Sequence, residues 1–369
     1  MVFHFGMRIL DWRNFLGMPA FFGRNFLGMP ILLGRNFLGM PAFFGAQFSG
    51  DADFSGSQFS GNADFAFARF LKKTDFHSSR VNLLDFTSCE IFSFLRLREI
   101  QQIKGNSDPP IILLRDLRFW ENGHILLEDF APSGISFLHT NFHIVHPRIY
   151  LIRMGWGKEK IILDDIFKRK EYRIYKEIKA EKERMLGKKE ISKWEIVYDP
   201  IKEMSEEKKV EEIERCYRQI RLAYEAMGEY PDAGDFYLQE MRIREKRLKG
   251  IIKFLHWLYG WVSKYGESPA RAFCWLIGIW LGSAFLYLFT GFNFFGYNVI
   301  HLPKFALSKI RILLAVSFAF INLIPGYFRF ITQPQTNPLP TTIISIIEGV
   351  LGIIVLTLFL LAIRRRFKR

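Results

Sequence analysis

Cysteine is scarce in this sequence: Cys89, Cys216 and Cys274 are the only three in 369 residues. Their spacing suits no zinc site, and an odd, sparse set gives no disulfide framework. The soluble part is therefore expected in a reducing compartment. Signatures of catalysis are missing as well. No Gly-rich phosphate loop, metal quartet or nucleophile elbow occurs, so no catalytic residue, cofactor or metal is assigned and the chain is not expected to be an enzyme. Asp164-Asp165 lies in a charged stretch with no partnered histidine and reads as a solvated face. Near the N-terminus, Arg8, Asp11 and Arg13 interrupt the apolar run before any small-residue cleavage site, so no signal peptide is expected.

Acidic residues run out in one region. From Gly250 to Arg369 there are twelve Lys or Arg against only Glu267 and Glu348, and this third supplies +10 of the net charge of +14. It is also the most apolar part of the chain, and basic residues flanking apolar runs are what a bilayer selects. From Trp156 to Lys249, 24 basic residues offset 22 acidic ones. Such mixing belongs to a solvated surface rather than a phosphate-binding stripe, so no nucleic-acid partner is expected.

What the sequence has in excess is phenylalanine, 39 residues, and at the start it is strictly periodic. RNFLGMPAFFG begins at Arg13, RNFLGMPILLG at Arg24 and RNFLGMPAFFG again at Arg35; degraded copies follow to about Ser79. The period of eleven resolves into two apolar columns. One is Phe15, Phe26, Phe37, Phe48, Phe59, Phe70 and Val81; the other is Phe21, Leu32, Phe43, Phe54, Phe65 and Phe76. Steps of six and five residues alternate between them. That spacing is neither 3.6 nor 2.0, which excludes an ordinary amphipathic helix or plain strand. It predicts a β-solenoid with one inward residue per short face; the competing reading is a low-complexity Phe/Gly segment without a fixed fold. Gly17, Gly28, Gly39, Gly50 and Gly61, two residues after the first column, are the expected corners with positive φ. Leu16, Phe22, Leu27, Leu33, Leu38 and Phe44 follow inward positions and should point out, which predicts an apolar contact surface on the first coils.

Ala52-Asp53-Phe54 and Ala63-Asp64-Phe65, with Ala46 before Phe48 and Ala68 before Phe70, place a small residue two before the apolar one; Ser57, Thr74 and Ser79 do the same. In this the segment resembles a pentapeptide-repeat protein, and the resemblance implies a right-handed, four-sided β-solenoid. Two departures stand out: the six-residue steps, and Arg13, Arg24, Arg35, Pro19, Pro30 and Pro41 in the small-residue slot. Members of that family that imitate DNA do so with an acidic surface, whereas Met1 to Glu90 holds eight basic and seven acidic residues. Further on, Phe137 and Phe142 again lie five apart, and His139, His143 and His146 cluster nearby. Without a helix these histidines share no face, so a structural role outweighs metal binding.

Residues 156–210 read as a charged helical linker. In 211–249, Tyr217, Ile220, Tyr224, Gly228, Tyr230, Ala233 and Tyr237 resemble the tetratricopeptide-repeat consensus, as two helices broken at Gly228. One such hairpin cannot build a peptide groove, so packing is its expected job. In 250–369, Ala272–Phe292 and Thr341–Ile363 are each long enough to span a bilayer. Basic residues crowd the outer flanks of the pair, which puts both termini on the cytoplasmic side of the cell membrane. Between the spans, Ile312–Pro325 is too short to cross and reads as a re-entrant segment.

The fold class expected is therefore mixed: a solenoid over 1–155, a central α-helical hairpin, and two transmembrane α-helices with a re-entrant segment. Glu348 and Gly352 stand where the inner helix of a two-transmembrane potassium channel carries an early Glu and a mid-helix Gly. The arrangement resembles prokaryotic pentapeptide-repeat proteins with an ion-channel-like C-terminus, best over Arg215–Arg247 and Ile343–Arg366. The resemblance implies a pore near Asn322, Leu323, Ile324, Pro325, Gly326 and Tyr327, a homo-oligomer in membrane lipid, and a protein partner on the solenoid. It does not extend to the filter, because no Gly-Tyr-Gly strand is present. Glu348 reads as a clamp to Arg311 or Arg329, or as an ion site; Gly352 reads as a hinge or a packing point. The two functions left open are an ion-channel-like membrane protein, conducting or decayed, and a membrane-anchored scaffold without transport.

Overall fold

The computed structural model describes residues 14–16, 25–26, 33–38, 43–101, 110–129, 135–142, 148–156, 160–166, 205–294, 297–299, 309–323 and 338–367. The chain divides into two compact units, Met1–Arg247 and Leu248–Arg369.

In the first unit, short strands build parallel sheets. One runs through Asn36–Leu38, Gln58–Asp64, Arg80–Asp85, Ile111–Leu113 and Ile135–Ser136. A second holds Gln47–Phe48, Arg69–Phe70, Glu90–Ile91 and Arg118–Phe119; a third holds Ala52–Asp53, Thr74–Asp75, Phe94–Arg98, His124–Glu128 and Ile149–Ile152. Asn36 pairs with Gln58, Gln47 with Arg69 and Ala52 with Thr74, each 22 residues on. One structural layer therefore takes two copies of the eleven-residue repeat.

That doubling splits the two sequence columns into four. Phe37 stacks on Phe59 at 4.9 Å, Phe48 on Phe70 at 5.2 Å, Phe43 on Phe65 at 4.7 Å and Phe54 on Phe76 at 4.6 Å, with rings within 8° of parallel. Neighbouring columns meet edge-on, as Phe54 does with Phe65. All eight rings are fully buried. Stacked and edge-to-face pairs each add about 1 kcal/mol beyond area burial, so the ladder both fills and registers the core. The small residues Ala46, Ala52, Ser57, Ala63, Ala68, Thr74 and Ser79 are buried. Ser79 Oγ donates to Phe54 O at 2.8 Å, and Cys89 occupies the same kind of slot, its Sγ donating to Phe65 O at 3.0 Å. Burial pushes the Cys89 thiol well above its usual pKa.

The expected corners need correction. Left-handed backbone falls at Gly34, Gly45 and Gly56, each at φ +65°, two residues after the second column. Gly50 and Gly61 are not among the left-handed positions, and Gly17, Gly28 and Gly39 lie outside the described residues. The reason is turn chemistry. Ala46 N donates to Phe43 O and Ser57 N to Phe54 O, closing four-residue turns whose third residue is Gly45 or Gly56. With the third residue left-handed these turns favour glycine there, which has no Cβ to strain. Gly61 instead lies in a register shift between Phe59 and Asn62, which absorbs the extra residue of the six-residue step. A Cβ on Gly34 would meet nothing within 4 Å. Gly34→Ala should thus cost only the left-handed backbone term, about 1 kcal/mol in chemical unfolding, while Gly50→Ala should cost less.

Of the predicted apolar exterior, Leu33 is exposed and Phe44 is half-buried against Phe67. The side chains of Leu16, Phe22, Leu27 and Leu38 lie outside the described residues.

The same unit ends in helices. A short α1 (Leu163–Ile166) precedes α2 (Glu206–Ala226) and α3 (Tyr230–Arg247), with Gly228 at φ +79° between the last two. Ser205 caps α2 by accepting from Lys208 N. Tyr217, Ile220, Tyr224 and Ala233 are buried and share a core with Phe137, Phe142 and Leu151. The hairpin also takes up backbone groups of the last β-layer: Phe142 N donates to Gln219 Oε1 and His139 N to Glu212 Oε1. It therefore covers a sheet end that would otherwise offer unpaired groups. Between the helices, the buried carboxylates Glu214 and Glu240 are both bridged by Arg218 and by Arg244. His139 is held beside Glu212, while His143 and His146 lie outside the described residues.

Asp164 is not on a solvated face. It is buried, accepts from Ser136 Oγ at 2.5 Å and Phe137 N at 2.8 Å, and lies 4.0 Å from Arg115 Nη2. Desolvation raises its pKa against the pull of these partners. Sequence reading missed it because its partners are some fifty and thirty residues upstream. Residues 167–204, most of the predicted linker, lie outside the described residues.

Candidate functional site

The second unit contains α4 (Gly250–Ser263), α5 (Pro269–Thr290), α6 (Lys309–Leu323) and α7 (Leu339–Phe367). Pro269 opens α5 behind Ser268, whose side chain caps Arg271 N. Two helices are long and apolar enough to cross a membrane, Pro269–Thr290 and Leu339–Arg364. Only 22% and 28% of their apolar windows are buried, so their side chains face outward as the core helix of a soluble protein would not. The third, α6, is about 22 Å long against roughly 30 Å of hydrocarbon and cannot cross.

Small and aromatic residues bring α6 against α5. Ala315 and Ala319 are fully buried and let Tyr287, Phe292 and Phe318 close around them. Tyr287 meets Phe318 edge-on at 4.8 Å, and Trp280 Nε1 donates to Val316 O at 2.9 Å. At the end of α5, Thr341 Oγ1 of α7 lies within hydrogen-bond reach of Thr290 Oγ1 and Gly291 O, at 2.9 and 2.5 Å.

Glu348 is 1% exposed, and Tyr287 Oη donates to its Oε2 at 2.6 Å. A buried carboxyl in an apolar helix is costly unless it is paired, and this one is bound to a hydroxyl on the neighbouring membrane-length helix. Tyr287 is a partner that sequence reading did not name. Its signal was a polar-tipped aromatic late in an apolar helix. Arg329, one of the two clamp partners considered, lies outside the described residues.

Gly352 is one turn further along α7, and it is where α6 ends. A Cβ there would lie 2.8 Å from Leu323 O and 3.0 Å from Leu323 Cδ1. The backbone of α6 thus approaches α7 as closely as glycine allows, which is a packing role. Asn322 is buried beside it, and among the described residues its Nδ2 has no hydrogen-bond partner. The structure therefore brings Asn322 and Leu323 to the same end of α6, against the α7 turn that carries Gly352. Ile324, Pro325, Gly326 and Tyr327 lie outside the described residues.

The described residues hold a charge and dipoles in an apolar setting. Among the described residues, no three His, Cys, Asp or Glu side chains group as metal ligands. No protein-family model matches the chain, and neither a curated protein nor a solved structure matches it.

Proposed function

We propose that this is a multi-pass membrane protein whose C-terminal unit is built like an ion channel and works as a homo-oligomer, without a potassium-selective filter. In this reading α5 and α7 span the bilayer, α6 enters and leaves from one side, and both termini are cytoplasmic. The first unit is a pentapeptide-like, right-handed β-solenoid that senses or binds a protein partner. The observation that carries the proposal is the short apolar α6, held between two membrane-length helices and seated on Gly352 beside the Tyr287–Glu348 pair. A buried Asn322 Nδ2 with no hydrogen-bond partner among the described residues fits a segment that meets water, an ion or a second copy.

A second reading is a membrane-anchored scaffold whose pore has decayed. It is favoured by the Leu323 carbonyl lying against Gly352, where it lines nothing, and by the absence of Gly-Tyr-Gly in 321–327.

The test is ion flux from vesicles containing the purified full-length protein, with Glu348→Gln and Gly326→Ala alongside. Glu348→Gln keeps the hydrogen bond to Tyr287 but removes the charge, and flux should change severalfold. An absence of flux under cation and anion gradients for every variant supports the scaffold.

A further inference from the structure

We infer that α4 is an interfacial helix that lies in the headgroup–acyl boundary of a phospholipid leaflet and sets the level at which α5 enters the membrane. The inference rests on the membrane reading above. Its starting observation is a surface that water does not favour. Ile251, Ile252, Phe254, Leu255, Trp257 and Trp261 are between 46% and 69% exposed, on one helix of 14 residues. At about 21 Å this helix is too short to span a bilayer, so its apolar surface must be covered from the side.

Three features choose lipid as the cover. The first is charge. Between residues 249 and 271, Lys249, Lys253, Lys264 and Arg271 stand against one acid, Glu267, a balance that suits a phosphate layer. The second is continuity with a span. Val262, on the buried side of α4, packs with Leu276 of α5 and Val355 of α7, so the helix is already part of the apolar unit. The third is aromatic placement: Trp257, Trp261 and Trp275 form a run of rings at 5.7 and 4.2 Å where α5 begins, as expected of residues at a membrane surface.

The helix is also fixed rather than tethered. Lys264, Tyr265 and Gly266 are all left-handed and reverse the chain between α4 and α5. The Tyr265 ring then sits over Gly260, where a Cβ would come 2.5 Å from Cζ. Its ring also contacts His256 and Tyr259, on the narrow polar side of the helix. Phe254, Trp257 and Trp261, on the opposite face of the helix, are left facing away from this turn.

The experiment uses the full-length protein in vesicles of mixed phosphatidylcholine and phosphatidylglycerol. Cys274→Ser removes the exposed thiol, and buried Cys89 and Cys216 stay unlabelled. Nitroxides are placed singly at Phe254→Cys and Trp257→Cys, at Lys253→Cys, and at Phe285→Cys and Ile354→Cys on the outward faces of α5 and α7. The expected result is a severalfold higher ratio of oxygen to aqueous nickel-chelate collisions at 254 and 257 than at 253, at a shallower depth than 285 and 354. Water-like collisions at 254 and 257, with 285 and 354 in lipid, overturn this inference and leave the membrane reading standing. Water-like collisions at all four overturn the membrane reading itself. Low collisions with both probes and spin–spin broadening between copies at 254 overturn lipid in favour of a subunit interface.

Discussion

Phe65→Ala should lower the stability of the first unit by about 4 kcal/mol, the cost of emptying a fully packed aromatic site. Phe65 is fully buried. It stacks on Phe43 at 4.7 Å and Phe86 at 5.4 Å within its own column, and meets Phe54 and Phe76 edge-on at 5.4 and 5.3 Å. Each of those rings belongs to a strand or turn of a parallel layer, so the site is bounded by backbone that cannot collapse inward. The loss should be local first, because stacked layers are held chiefly by their neighbours. Native-state hydrogen exchange would show it at the amides of Phe43 and Phe65, which donate to Asp64 O and Asp85 O. Phe67 is the control. It stands at a left-handed corner, φ +60°, and is half-buried. Phe67→Gly relieves backbone strain while losing the ring contact with Phe44, and should cost far less than Phe65→Ala. A cost below about 1 kcal/mol for Phe65→Ala would show that the column is not close-packed.

Gly352→Leu should destabilise the second unit by about 3 kcal/mol and displace α6 from α7. Even the first atom of the new side chain would lie 2.8 Å from Leu323 O, and a backbone oxygen cannot swing aside as the tip of a side chain can. Either α6 moves as a body, or the last turn of α6 unwinds. Gly278→Leu in α5 is the matched control, since a Cβ there meets nothing within 4 Å. In detergent, the thermal unfolding midpoint should fall by several degrees for the first variant and hold for the second. Gly352→Ala separates packing from hinging. A packing glycine loses stability on gaining one methyl group, whereas a hinge would keep its stability and change only the voltage or ligand dependence of any flux.

Much of the second unit was legible in the sequence because long apolar helices follow a simple code. Length, apolarity and flanking charge located α5 and α7 to within a few residues, and a shorter run located α6. Glu348 and Gly352 stood out because a charge and a glycine are rare in such a helix. Their partners were not legible. Tyr287 is 61 residues from Glu348, and Leu323 is 29 from Gly352, so no local spacing connects either pair. For α4, the sequence offered only basic residues before the first apolar helix; the helix itself, and which side of it was already covered, came from the fold.

The first unit divides in the same way. The sequence by itself determined that this chain repeats every eleven residues, that its large apolar residues turn inward, and that small ones stand two residues before them. These follow from periodicity and side-chain size, which are properties of the chain alone. The tertiary structure decided that 22 residues make a layer, so that two columns became four. It also decided which of two equally periodic glycine sets carries the left-handed turn, because the choice depends on which corner closes a hydrogen bond. Asp164, read as solvent-facing from its charged neighbours, is buried because Ser136, Phe137 and Arg115 converge on it from distant layers. Burial is a property of the assembled neighbours, and a sequence states only one of them at a time.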